Sequence, residues 1–186
     1  MELKTTYFDK IGMDNTEEVL RIAKQRAEEL GIKTVVVAST TGNTAVKAVG
    51  AFKGLRVIIV SHVTGLRAPD TQEFSEKNRE IVESQGGIIV TAAHAFAGLS
   101  RAMRSKYNMY VLGEVIADTL RIFGAGTKVA CEITMMAADA GVVRTDEDII
   151  SIAGSGQGAD TAVVLRPVNT HNFFDLKVKQ ILCKPL

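Results

Sequence analysis

The residues with the clearest chemical potential are Ser39-Thr40-Thr41-Gly42-Asn43-Thr44, in which four hydroxyl side chains and an amide surround one glycine. They follow the apolar run Val35-Val36-Val37-Ala38 and precede Ala45, Ala48, Val49 and Phe52 at helical spacing. The stretch therefore reads as a strand, a turn and a helix N-terminus. Unpaired N–H groups at a helix start attract anions, hydroxyls add donors, and glycine lets an anion come close to the backbone. The chemistry expected here is phosphate binding. The simpler alternative is that Ser39 or Thr44 only caps the helix.

Other candidates sit where the chain leaves its strands. The run Arg56–Val60 ends at Ser61-His62-Val63-Thr64-Gly65, and ligands of open α/β sheets collect beyond carboxyl ends of strands. His62, Thr64 and Gly65 are thus expected to reach the same pocket. His94 occupies an equivalent exit after Ile88–Thr91. Two histidines without a third ligand do not make a metal site, so no metal is expected. Glu132 and Asp139 lie seven residues apart on nearly one helix face, about 10 Å along the axis. That is too far for one shared site, and only Glu132 is kept. With His62 and His94 it completes the acid/base candidates. Gly154-Ser155-Gly156-Gln157-Gly158-Ala159-Asp160 is either a loop whose backbone can approach a ligand or a permissive connection. Arg101, Arg104 and Lys106, beside Tyr107 and Tyr110, read better as a solvated helix face than as an anion clamp.

The elements that must position these groups alternate. Leu3–Phe8 suggests a short strand. Asn15 and Glu18 have capping-box spacing before Val19, Ile22, Ala23, Ala27 and Leu30, and Gly31 stops that helix. Strand Lys33–Ala38, the cradle helix and strand Arg56–Val60 follow. A helix is expected from Thr71 or Gln72 with Phe74, Ile81 and Val82 inward, then strand Ile88–Thr91. Leu112, Val115, Ile116, Leu120 and Phe123 describe another helix, closed by Gly124-Ala125-Gly126 as a C-cap and turn. Lys128–Ala140 is a helix apolar nearly all round, and therefore buried against a neighbour or between subunits. Strands Ile149–Ala153, Thr161–Arg166 and Leu176–Cys183 close the chain. This order predicts an α/β fold, a three-layer α/β/α sandwich on a mostly parallel sheet with at least one late antiparallel strand.

At 186 residues, with 46% hydrophobic and 23% charged side chains, the chain suits a single domain over residues 1–186. A net charge of +1 gives no electrostatic case for nucleic acid or an anionic membrane, and no segment reads as a membrane span. Cys131 and Cys183 form no ligand cluster or disulfide framework, and a cytoplasmic location is expected. The apolar helix Lys128–Ala140 and Asn172-Phe173-Phe174 predict a homo-oligomer, with the aromatic pair also offering surface for a flat ring.

Two resemblances rest on these residues. Ser39–Thr44 resembles the flavodoxin loop that binds the phosphate of flavin mononucleotide (FMN). It departs from flavodoxins in following a second strand and in having no Trp to stack on the ring. From Asn15 onward the order of segments resembles the C-terminal α/β domain of pyruvate kinase, through the same loop, Arg56–Val60 and Gly154–Val164. In that domain a Ser/Thr-Gly loop holds a sugar phosphate in allosteric forms and the loop matching Gly154–Asp160 lies nearby, so Gly154, Ser155 and Gly156 become ligand candidates. The catalytic barrel has no counterpart in the sequence, and the resemblance implies no phosphoryl transfer from phosphoenolpyruvate. It implies a stand-alone binding domain for a phosphorylated small molecule, with FMN as cofactor. The alternatives are a flavin-dependent reductase or sugar-phosphate enzyme, and a ligand-sensing regulatory module.

Overall fold

The runs Val35-Val36-Val37, Val57-Ile58-Ile59-Val60 and Ile149-Ile150 lack polar alternation, so the strands they form need cover on both faces. A computed structural model describes residues 2–186 and provides that cover. Among the described residues seven strands form one sheet: β1 (Thr6–Phe8), β2 (Thr34–Ala38), β3 (Arg56–Ser61), β4 (Ile88–Thr91), β5 (Ile149–Ala153), β6 (Thr161–Arg166) and β7 (Lys177–Pro185). Their spatial order is β1-β7-β6-β5-β2-β3-β4. Only β6 runs against the others, pairing antiparallel with both β5 and β7.

The helices are α1 (Thr16–Leu30), α2 (Asn43–Ala51), α3 (Glu76–Ser84), α4 (Gly98–Tyr107), α5 (Leu112–Arg121) and α6 (Ala125–Asp139). Alternate strand residues serve opposite layers. Val35, Val37, Val57 and Ile59 pack with Val19 and Ala23 of α1, Ala45 and Val49 of α2, and Val82 of α3. Val36, Ile58 and Val60 pack on the other face with Ala130, Ile133 and Ala137 of α6. This is the expected three-layer α/β/α sandwich with one late reversed strand.

Several local expectations are corrected. Asn15 forms no capping box, because a 3-10 turn at Met13–Asn15 already gives it helical torsions, and its Nδ2 donates to Lys10 O at 2.7 Å. Leu30 is exposed rather than part of the inward stripe. The third helix starts at Glu76, not near Thr71, with Ser75 as its cap, because Gln72 and Glu73 are drawn to the exit of β3. Gly124-Ala125-Gly126 does more than terminate: Gly124, at φ 115°, is the N-cap of α6. Gly126 lies in the first turn of α6, where a Cβ would come within 2.1 Å of Thr161 Oγ1. On α5 it is Ile116, Ala117 and Leu120 that turn inward, whereas Leu112, Val115 and Phe123 are exposed. The all-round burial of α6 is accounted for inside the chain, since the sheet covers one side and α5 the other. Phe173 packs edge-on against Phe96, 5.5 Å between ring centroids, while Phe174 is exposed.

Candidate functional site

In the parallel part of the sheet the connections diverge at β2, with β3 placed on one side and β5 on the other. Loops leaving the carboxyl ends of β2 and β5 therefore separate and leave a crevice. A cavity of about 710 Å³ lies there, lined by the exits of β2, β3 and β5 and by the inner face of α6.

The cradle forms one wall. Ser39 N–H is held by Val60 O at 3.0 Å, and Ser39 Oγ accepts from Ala45 N–H at 3.2 Å. Ser39 is thus a buried cap whose oxygen is engaged by the first turn of α2. Among the described residues, the backbone N–H groups of Thr40, Thr41, Gly42, Asn43 and Thr44 have no hydrogen-bond partner. Thr40, Thr41, Asn43 and Thr44 all line the cavity. Gly42, at φ 94°, faces away, and a Cβ there would come within 2.5 Å of Asn78 Cβ and 2.9 Å of Phe74. Its role is close packing under α3, which holds the loop from behind through Asn78 Nδ2, a donor to Thr41 O at 3.0 Å and to Asn43 Oδ1 at 3.1 Å.

The exit of β3 supplies His62. Its Nδ1 lies 2.8 Å from Glu73 Oε2 and its Nε2 lies 3.2 Å from Thr40 Oγ1. The other Glu73 oxygen accepts from Arg67 Nε at 2.6 Å. The hydrogen bond from His62, together with that from Arg67, holds the Glu73 carboxyl below the usual carboxylate range against the opposing effect of burial. His94 joins from the exit of β4, its ring 5.3 Å from that of His62, with Nε2 accepting from Val63 N–H at 3.4 Å. Burial holds His94 below the ordinary histidine value, while the Glu132 carboxylate works the other way.

The opposite wall is α6. Lys128 and Glu132, one turn apart, form a buried ion pair. Glu132 also accepts from Phe96 N–H at 3.1 Å, and the Lys128 ammonium lies 5.4 Å from the Phe96 ring centroid. The floor is the glycine-rich loop. Gly154 and Gly156 line the cavity, with Gly156 open to it. Asp160, fully buried, accepts from Gly12 N–H and Ser155 N–H, each at 3.0 Å, and fixes the loop against the N-terminal turn.

The crevice thus gathers Ser39, Thr40, Thr41, Asn43, Thr44, His62, His94, Glu132, Gly154 and Gly156 around one space. Thr64 and Gly65 are not among its lining residues. The chain turns outward after Val63, and they border a separate pocket of about 380 Å³ with Arg101. Ser155 also falls outside the lining, with its N–H taken by Asp160. Phe173 and Phe174 lie elsewhere, so no aromatic ring other than imidazole lines the crevice among the described residues. Sequence reasoning missed Glu73, Arg67, Lys47 and Lys128, all of which line it. Lys128 had a legible signal, a lysine one turn before a glutamate in an otherwise apolar helix. Asp139, set aside earlier, serves the turn at Thr170–Asp175 by accepting from Asn169 Nδ2 and Thr170 N–H at 3.0 Å.

A family model of the pyruvate kinase alpha/beta domain matches residues 17–165. Among solved structures, the chain is similar to pyruvate kinase from Cryptosporidium parvum at 12% identity and a TM-score of 0.42, covering 82% of this chain and 23% of that one. A second structure of the same enzyme, in complex with ADP, gives 12% identity, a TM-score of 0.39, and 80% and 22% coverage. A structure of O-ureido-L-serine synthase matches at 18% identity and a TM-score of 0.32, covering 73% and 49%. The chain spans about a quarter of the length of the pyruvate kinases it matches. No helix among the described residues is long and apolar enough to cross a membrane. With most of its length matched by one family model, the chain belongs to the pyruvate kinase alpha/beta domain family.

Proposed function

We propose that the chain binds a phosphorylated small molecule in the crevice, with the phosphate on Thr40–Thr44, and that this ligand is FMN. The supporting observation is the set of unpartnered N–H groups from Thr40 to Thr44 at the start of α2, opening into a cavity of about 710 Å³. Helix N-termini with free donors favour phosphate, and this volume lies in the range of sites that enclose small molecules. The residues fit the group in chemistry. Thr41 and Thr44 add hydroxyl donors, and Val60, Ile133 and Met136 give the apolar lining that a ring system needs. The ring would lie between aliphatic side chains and the two imidazoles, not on an indole. A flavin bound there would supply hydride or single-electron chemistry.

Titrating the protein with FMN and with riboflavin, following flavin fluorescence, tests this reading. The two share the ring and differ in the phosphate. FMN is expected to bind at least tenfold more tightly, because charge-assisted hydrogen bonds contribute about 1.5–3 kcal/mol each. Equal affinity would remove the phosphate from the cradle, and no binding of either would remove the flavin.

A further inference from the structure

Phosphate binding leaves one arrangement unexplained. Glu73 Oε2, His62 and Thr40 Oγ1 form a continuous hydrogen-bonded chain, 2.8 Å from the carboxylate to Nδ1 and 3.2 Å from Nε2 to the hydroxyl. Binding an anion needs only donors. It does not need a hydroxyl hydrogen-bonded to an imidazole whose far nitrogen is held by a carboxylate. Arg67 Nε on Glu73 and Gln72 Nε2 on His62 O, 3.0 Å, fix the chain from outside. An ionised Glu73 holds the proton on Nδ1, so Nε2 presents its lone pair to Thr40.

Thr40 stands at the centre of Ala38-Ser39-Thr40-Thr41-Gly42, between the end of β2 and the start of α2. By analogy with a nucleophile elbow, a strand-to-helix turn presents one hydroxyl at the sheet edge, with the N–H of the next residue placed to receive an oxyanion. Thr41 N–H and its unpartnered neighbours provide such donors.

We infer that Thr40, His62 and Glu73 form an acyl-transfer centre that hydrolyses small carboxylic esters, with Thr40 as nucleophile, His62 as general base and Glu73 as the residue that positions His62. Thr40 Oγ1 attacks the ester carbonyl carbon while its proton passes to His62 Nε2, and the carbonyl electron pair moves onto oxygen, facing the N–H groups. The pair returns, the carbon–oxygen bond to the alcohol breaks, and the leaving oxygen takes the proton from His62. Water then attacks the acyl-Thr40 ester with His62 again accepting the proton. The carboxylic acid departs as Thr40 regains its hydrogen. Ester and water become acid and alcohol, and no other reactant is required.

The probe is p-nitrophenyl acetate, with nitrophenolate release followed by absorbance and acetylation by intact-protein mass. Wild type is expected to show an acetyl adduct on Thr40 and turnover. Thr40→Ala should lose the adduct and slow release by at least about a hundredfold, His62→Gln by a similar factor, and Thr40→Ser should retain the reaction. Inorganic phosphate should inhibit by competing for the same N–H groups. Glu73→Gln should lower kcat with KM little changed, because His62 loses the carboxylate that orients it, and Glu73→Asp should restore part of the rate. Glu73→Gln also removes the carboxylate from Arg67, whereas His94 and the Lys128–Glu132 pair keep their partners. An adduct that persists in Thr40→Ala, wild-type release no faster than that of Thr40→Ala, or an unchanged kcat in Glu73→Gln would overturn the inference. FMN titration of the same variants keeps it separate from the binding reading. Normal FMN affinity in a wild type that forms no acetyl adduct overturns the acyl-transfer centre alone.

Discussion

The two walls of the crevice solve the problem of charge in opposite ways. On the cradle side, polar groups are left without partners: among the described residues the N–H groups from Thr40 to Thr44 have none, and Thr40, Thr41, Asn43 and Thr44 line the cavity. On the α6 side the charges are fully satisfied by one another, with Lys128 and Glu132 about 5% and 4% exposed and Phe96 N–H completing the set. An orphan donor lowers its energy by meeting a ligand, whereas a closed pair raises its energy when a ligand pulls it apart. A ligand's anionic end is therefore expected at the cradle. The α6 wall acts as a rigid, net-neutral backing.

The largest effect should come from opening the closed pair. Lys128→Met leaves a carboxylate buried without its cation, at a cost of about 3–5 kcal/mol. Adding Glu132→Gln should recover part of that loss. Urea unfolding of the single and double variants checks both, and a single variant as stable as wild type would show that the two walls do not differ. Gly42→Val is next. It combines left-handed backbone strain with the Asn78 and Phe74 contacts behind the loop, and about 2–4 kcal/mol of stability should be lost. Circular dichroism melts would report this without any ligand, because the defect lies in packing under α3.

Thr41→Ala sharpens the comparison at the ligand. Thr41 is exposed and lines the cavity, so the variant should fold normally. It should bind FMN about ten- to a hundredfold more weakly, from the loss of one charge-assisted hydrogen bond of about 1.5–3 kcal/mol, and riboflavin nearly unchanged. Fluorescence titration decides this, since an equal loss for both ligands would place the phosphate elsewhere. The smallest effect concerns His94. Burial lowers its folded-state value, so the unfolded chain takes up a proton first, and stability complete above about pH 6.5 falls as pH drops below it. Melting temperatures between pH 7.5 and 5.5 should fall less steeply in His94→Gln than in wild type.

The parts of this molecule legible in sequence are those decided locally. The valine and isoleucine runs of β2, β3 and β5 have one solution, burial on both faces, and their order implies the sheet that is observed. The strand, turn and helix start around Ser39–Thr44 were legible for the same reason, because an apolar run, a glycine-containing hydroxyl cluster and a helical apolar stripe follow one another directly. The missed parts depend on distant partners. Glu73 sits in a loop that looks ordinary until it returns to His62, and that return also delays the start of α3 to Glu76. Thr64 and Gly65 follow the right strand, yet the chain has turned out of the crevice by then. Gly124–Gly126 carries a signal that suits the end of α5 and the start of α6 equally, and only contact with Thr161 shows that both apply.

The place of the crevice in the sheet has a consequence for how the chain assembles. β5 pairs with β6 and β6 with β7, and β2, β3 and β4 also pair in sequence order. The seam between the two sets is β2 against β5, where Val36 meets Ser151 across most of the chain. Closing so long a loop costs more entropy than pairing β2 with β3 or β5 with β6, and only the edge pairing of β1 with β7, Thr6 opposite Cys183, spans more, so the seam is expected to form late in folding. The crevice lies at the carboxyl end of that seam, and a ligand touching both the cradle and Gly154–Gly156 can bind only after the two halves have joined. Occupancy would then act as a clasp between halves, slowing amide exchange at Val36, Val37, Ile150 and Ser151 ahead of exchange inside either half.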